Sequence, residues 1–203
     1  MNKVFYSKTL AEAWRTLKPW GIIIALFFLL RYTGALSGIS YLTNSALLKT
    51  GMMDIQPEAP VIAKKFDYNF SLRDLSGNTI DVSEFKGKTI FLNIWATWCG
   101  PCRVEMPSIQ NLYSKVNQDN IVFVMLSVDR REDLEKVKNF VNEKNYSFPV
   151  YTPAGALPEQ LQVRSIPTTF VINPDGKIVS HETGAANYDT PDFREFLETL
   201  PKP

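Results

Sequence analysis

The sequence predicts an α/β fold, a mixed central sheet with helices on both faces, and three observations carry that prediction. Two near-continuous apolar runs, Thr89 to Ala96 (TIFLNIWA) and Ile121 to Val128 (IVFVMLSV), have the composition of strands covered on both faces. Between them, Ile109, Leu112 and Val116 recur at helical spacing within Pro101 to Val116, so the order is strand, helix, strand. Further on, Thr168 to Asn173 and Lys177 to Ser180 flank Pro174-Asp175-Gly176, the pattern of an antiparallel hairpin.

The remaining elements follow from local signals. Phe66 to Leu72 and Thr79 to Val82, on either side of Ser76-Gly77-Asn78, predict a hairpin-like N-terminal β extension. Asp129 followed by Glu132 fits a capping box, and Leu134, Val137 and Val141 continue one face of a second helix. Pro191 opens a last helix with Phe193, Phe196, Leu197 and Leu200 on one side. Gly51 to Ala63 carries two prolines and no clean period, which reads as a linker.

The N-terminal part is different in character. Trp20 to Leu30 is an uncharged run of eleven residues preceded by Lys3, Lys8, Arg15 and Lys18. Extended to Leu42 it has 23 residues, about 34 Å of helix, with Arg31 at its centre. Its Leu, Ile and Phe residues contribute roughly −3 to −6 kcal/mol to insertion, against about +3 for Arg31. An uncleaved anchor is the expectation; a signal cleaved near Ala35-Leu36-Ser37 and a soluble amphipathic helix are the alternatives. For the first two, the basic residues before the segment keep the N-terminus cytoplasmic and place the globular part on the exported side. The expected organisation is a cytoplasmic segment at 1–19, a signal-anchor at 20–42, a linker at 43–63 and a domain at 64–203.

Composition excludes several classes. The chain of 203 residues has a formal net charge of +1, without the basic footprint of a nucleic-acid binder. Two cysteines and one histidine suit neither a disulfide-stapled small fold nor a structural zinc site, and no metal or cofactor is expected. Cys99 and Cys102 therefore act as a pair. They lie where an apolar strand ends and a helix begins, and free backbone N–H groups at a helix start favour a thiolate. Cys99 is thus the expected nucleophile. Cys102, three residues on, shares its helical face and can attack a mixed disulfide formed on Cys99. Gly100 is read as permitting a tight approach, and Pro101 suits the first helical turn. A static disulfide or half of a shared metal site is the alternative.

WATWCGPC after a strand, with SIPTTFVINPDGKIV some 65 residues later, resembles the thioredoxin superfamily. The run VSEFKGK after Gly77-Asn78, followed by WCGPCRVEMP, is similar to the TlpA/ResA type of exported, membrane-anchored disulfide reductase, over roughly residues 64 to 200. That resemblance implies a thioredoxin-like fold, with Pro167 as the cis-proline beside the sulfurs and the Ile166 backbone offered to a substrate strand. Cytoplasmic thioredoxins usually carry a buried aspartate six residues before the first cysteine, where this chain has Asn93. Asparagine cannot take the proton that Cys102 must lose. Glu105, three residues after Cys102, occupies the family's CxxCxxE position and is the candidate; a solvated helix carboxylate is the alternative.

Trp95 reads as core, whereas Trp98, beside the nucleophile, would cover the site and offer a docking surface. His181 reads as a polar residue of a hairpin strand. The resemblance implies a protein-disulfide reductase acting on disulfide-containing proteins, the cysteine pairs of apocytochromes c among them, and recharged by a membrane electron donor of the DsbD/CcdA type. An oxidase or isomerase is one alternative. It is disfavoured by Gly100-Pro101, the dipeptide of reducing thioredoxins with potentials near about −270 mV. A peroxidase would want threonine at position 96, which is alanine. A non-catalytic binding module, a metal carrier or assembly adaptor, is the other alternative.

Overall fold

The computed structural model describes residues 64–200, together with Trp20, Ile22 to Ile24, Leu29, Asp54 and Ile55. The chain divides into two units, Met1–Leu42 and Thr43–Pro203. In the first, the described residues are helical and each is more than half exposed. Among the described residues no helix is long and apolar enough to cross a membrane. The expected cytoplasmic segment, most of the signal-anchor and most of the linker lie outside the described residues.

In the second unit the described elements are, in chain order, β1 (Ser71–Asp74), β2 (Thr79–Asp81), β3 (Thr89–Trp95), α1 (Gly100–Lys115), β4 (Ile121–Ser127), α2 (Leu134–Glu143), β5 (Val150–Pro153), β6 (Thr168–Ile172), β7 (Ile178–Thr183) and α3 (Pro191–Thr199). The strands form one mixed sheet in the order β2-β1-β5-β4-β3-β6-β7. β3 is buried along its whole length, parallel to β4 and antiparallel to β6, as its unbroken apolar run requires. β6 and β7 are the expected hairpin, and β1 and β2 pair antiparallel around Gly77, whose φ of 97° needs glycine. The Asp74 carboxylate accepts from the Ser76 and Asn78 backbone N–H groups and closes that turn.

The sheet separates two apolar clusters by strand alternation. Phe91 and Trp95 of β3 face one, with Cys102, Met106, Ile109 and Leu112 of α1, Val137 and Val141 of α2, and Phe193 and Leu197 of α3. Ile90, Leu92 and Ile94 face the other, with Phe66, Tyr68, Phe70, Val82 and Leu161. All three α-helices therefore cover one face, which corrects the expected helices on both. The reason is topological: β3 to β4 and β4 to β5 step in the same direction across the sheet, so two right-handed crossovers place α1 and α2 on the same side. The opposite face is covered by the extended segment 66–70 and by short 3-10 turns at Val82–Phe85 and Glu159–Leu161.

Local readings shift in four places. Phe66, Tyr68 and Phe70 are buried, alternating with the exposed Asp67 and Asn69, but the segment lies outside the ladder, so β1 starts only at Ser71. β5, too short to show a period, pairs antiparallel with β1 and parallel with β4. The capping box expected at Asp129 and Glu132 does not form: α2 begins at Leu134 without a side-chain cap, because the Asp129 carboxylate is bound elsewhere. A capping box occurs instead at Asp81 and Glu84, at the Val82–Phe85 turn. Within the stretch expected as a linker, the Ile55 N–H donates to the Asn187 carbonyl at 3.4 Å, and Ile55 is buried.

Candidate active site

Cys99 is the N-cap of α1, and Cys99 and Cys102 form a disulfide with 5.3 Å between their Cα atoms. The Cys102 backbone N–H donates to Cys99 Sγ at 3.2 Å, so the sulfur occupies the position of a capping oxygen. A thiolate there receives the same N–H and the positive end of the helix dipole. Cys99 keeps 5% of its surface exposed and Cys102 none, which leaves Cys99 as the sulfur an incoming group can reach. A Cβ at Gly100 would meet no atom within 4 Å, and its φ is not positive, so the tight approach expected to need glycine is not sterically required.

The loop before Cys99 is fixed by Asp129. Its carboxylate accepts from the Thr97 N–H at 2.8 Å, the Thr97 hydroxyl at 2.6 Å and the Ser127 hydroxyl at 2.8 Å. These bonds tie the residues between β3 and α1 to the end of β4. Trp98, at the outer edge of that loop, is 70% exposed beside the disulfide. Trp95 is wholly buried and lies 5.7 Å from the Phe140 ring, over which the Arg103 guanidinium sits. The Ile166–Pro167 peptide bond is cis, and the Ile166 carbonyl oxygen lies 3.8 Å from Cys99 Sγ. Thr168 donates its hydroxyl to the Ser165 carbonyl, and Gly184 N–H to that of Pro167, which holds this loop against β7. His181 stacks on Phe170 at 4.4 Å, its partner across the β6–β7 ladder.

Glu105 is fully buried one turn after Cys102, which excludes a solvated carboxylate. Its Oε1 accepts from Asn93 Nδ2 at 2.8 Å and its Oε2 from the Ala186 N–H at 3.2 Å. Burial pushes its pKa from 4.5 up to about 8, against these two hydrogen bonds, which pull it down. Asn93 Nδ2 also donates to Thr169 Oγ1 at 2.9 Å, and the Tyr188 hydroxyl donates to the same oxygen at 2.7 Å. Burial, and next the charge of Glu105, raise the Tyr188 pKa well above its ordinary value, so it stays a neutral donor. The Ser108 hydroxyl donates to the Glu105 carbonyl and accepts from the Tyr188 N–H, joining α1 to the segment after β7.

The structure thus brings Cys99, Cys102, Glu105, Trp98, Ile166 and Pro167 to one end of the sheet. Sequence reasoning missed Thr169, Tyr188, Ala186 and the anchoring role of Asp129. A signal existed for one of them: Thr169 is the second of two threonines that begin the otherwise apolar strand β6, and it is the register partner of Asn93. Tyr188 and Ala186 lie in an irregular segment and had none.

A family model described as Redoxin matches residues 62–198. The thiol-disulfide oxidoreductase ResA of Bacillus cereus (strain ATCC 10987 / NRS 248) is 34% identical over 180 residues, 88% of this chain and 96% of that protein. ResA of Bacillus anthracis is 38% identical over 133 residues, 65% of this chain and 71% of that protein. Among solved structures, a thiol:disulfide interchange protein of the thioredoxin family from Chlorobium tepidum TLS superposes with a TM-score of 0.56 at 26% identity, covering 70% of this chain and 99% of that one. With its cysteine pair at the start of α1 and its buried glutamate, the chain belongs to the redoxin family, as a relative of the TlpA/ResA type.

Proposed function

We infer that the protein is a thiol-disulfide oxidoreductase that reduces disulfides in other proteins on the exported side of a membrane to which it is tethered. The observation that carries the chemistry is the unequal burial of the sulfurs: Cys99 reaches the surface at a helix start, whereas Cys102 is sealed one turn from Glu105. The Cys99 thiolate attacks one sulfur of a substrate disulfide and forms a mixed disulfide as the other sulfur leaves as a thiolate. Cys102 then gives its proton to Glu105 and attacks Cys99 Sγ, closing the 99–102 disulfide and releasing the substrate as a dithiol. A carboxyl that burial raises to about 8 holds a proton taken from a thiol far better than an ordinary carboxyl would.

Turnover as a reductase consumes two electrons per cycle, and a membrane donor of the DsbD/CcdA type is the source the resemblance implies. Cytochrome c maturation, with apocytochrome c cysteine pairs as substrate, is the role it points to among disulfide reductions. Membrane tethering is supported by the basic N-terminus and the apolar run after it. Capture is the test. The full chain carrying Cys102→Ser should retain partner proteins on Cys99 as adducts that dissolve on reduction, enriched in the membrane fraction. Absence of any adduct with Cys102→Ser, while the native pair still cycles with a small dithiol, would overturn protein-disulfide reduction.

A further inference from the structure

The hydrogen bonds around Glu105 suit only one of its two protonation states. Both carboxylate oxygens face N–H donors, from Asn93 and from Ala186, which is the environment of an ionised carboxylate. In this arrangement Asn93 Oδ1 is buried with no hydrogen-bond partner, and Asn93 Nδ2 serves Glu105 and Thr169 at once. Thr169 Oγ1 accepts twice, from Asn93 and from Tyr188. An orphaned buried carbonyl oxygen costs about 1–3 kcal/mol, and because the pocket gives that place no partner to hold the oxygen, a half-turn of the amide exchanges one unpartnered atom, Oδ1, for the other, Nδ2.

The neutral acid needs an acceptor for its new O–H. The Ala186 N–H belongs to the main chain and cannot offer one, whereas the Asn93 amide can turn about its terminal bond. Turned, Asn93 Oδ1 takes the place of Nδ2 and accepts the proton of Glu105 Oε1 and the hydroxyl proton of Thr169. Thr169 still accepts from Tyr188, and Ala186 still donates to Glu105 Oε2. We propose that Asn93 is a positioning residue with two settings: it donates to ionised Glu105 and, after a half-turn of its amide, accepts from protonated Glu105. The residue that cannot carry the proton would thereby stabilise its carrier in both states, so that the acid-base group of the exchange is served before and after Cys102 gives up its proton. The inference builds on the reading of Glu105 as that proton acceptor.

The groups around Glu105 leave Asn93 as the adjustable one. Cys102 shares its helix; Asn93 comes from β3, Thr169 from β6, and Ala186 and Tyr188 from the segment after β7. Glu182 of β7 acts on Tyr188 at longer range. Among the described residues Glu105 has no ion-pair partner.

The test is nuclear magnetic resonance on the oxidised full chain, with the asparagine side-chain nitrogens and the glutamate carboxyl carbons labelled, from about pH 5 to about pH 10. Above the Glu105 midpoint, the Asn93 Nδ2 protons should show cross-relaxation to the Thr169 β-proton and methyl group. Below it, that signal should fall several-fold with the same midpoint as the Glu105 carboxyl. In Glu105→Gln, the introduced amide must turn its oxygen to the Ala186 N–H and its NH2 to Asn93, so Asn93 should hold the turned setting at every pH. An Asn93 signal that stays constant while Glu105 titrates overturns the two settings and leaves the role of Glu105 standing. A Glu105 that does not titrate in this range overturns both, and the capture by Cys102→Ser still reports on the exchange itself.

Discussion

The two faces of the central sheet are built from the same strands and differ in what they tolerate. On the helix-covered face, β3 and β6 interrupt their apolar pattern with Asn93 and Thr169, a cross-strand pair, and α1 adds Glu105. On the opposite face the same strands present Ile90, Leu92, Ile94, Phe170 and Ile172, and the polar residue among them, Thr168 at the start of β6, turns its hydroxyl to the Ser165 carbonyl. Buried polar groups cost free energy unless their hydrogen bonds are met, and a buried carboxylate costs more. The first face therefore gives up stability one helical turn from Cys102, where the proposed exchange moves a proton. The second face holds the sheet together and carries none of the chemistry.

This difference is testable, and the largest expected effect is on stability against pH. The folded chain binds the Glu105 proton more tightly than the unfolded one, with a pKa of about 8 against 4.5. The Glu105 contribution to stability is therefore full below about pH 4.5, falls as pH rises, and is lost above about pH 8. At about 1.4 kcal/mol per unit the drop amounts to several kcal/mol. Denaturant titrations of the oxidised chain across that range should show it, and Glu105→Gln should flatten the profile. A native profile already flat between those limits would remove the energetic contrast between the faces.

A smaller effect should come from the other side of the sheet. Leu92→Ala, at a wholly buried position, should cost about 3 kcal/mol. The rate at which the 99–102 disulfide exchanges with a small dithiol should stay within about twofold under conditions where the variant is folded. A large change in that rate would show that the second face does participate in the site.

The finest comparison uses two tyrosines. Tyr188 donates its hydroxyl to Thr169 on the helix-covered face, whereas the buried Tyr68 hydroxyl on the other face has no partner. Tyr188→Phe should cost about 1 kcal/mol and Tyr68→Phe nothing, or it should stabilise slightly. Equal costs, read from urea midpoints, would mean that the polar network adds no more than a lone hydroxyl does.

Most of the strand and helix order was legible because periodicity and turn residues act over a few neighbours. β3, β4, α1 and β6 fall within a residue of their sequence signals, and β7 runs three residues past the end of its own. Legible for the same reason were the cysteine pair at the start of a helix and the glutamate one turn later, since strand-end, cap and i, i+3 spacing are local facts. Asp129 shows the limit of that reasoning: its spacing to Glu132 resembles a cap, but three donors from Thr97 and Ser127 occupy its carboxylate. A carboxylate goes to the best set of donors in space, and chain spacing reveals only those nearby.

What the sequence by itself determined is the strand–cysteine–helix unit, its redox pair and the candidate proton acceptor, because each depends on residue type and short-range geometry. Only the tertiary structure decided that α1 and α2 share one face, since that follows from the direction of successive crossovers, and that α3 packs beside them through Phe193 and Leu197. It also decided that Glu105 is buried among Asn93, Thr169, Ala186 and Tyr188, segments up to 95 residues apart that meet only when the sheet is assembled. Burial is a property of what surrounds a side chain, and that burial raises the carboxyl into the range where it can exchange a proton with a thiol.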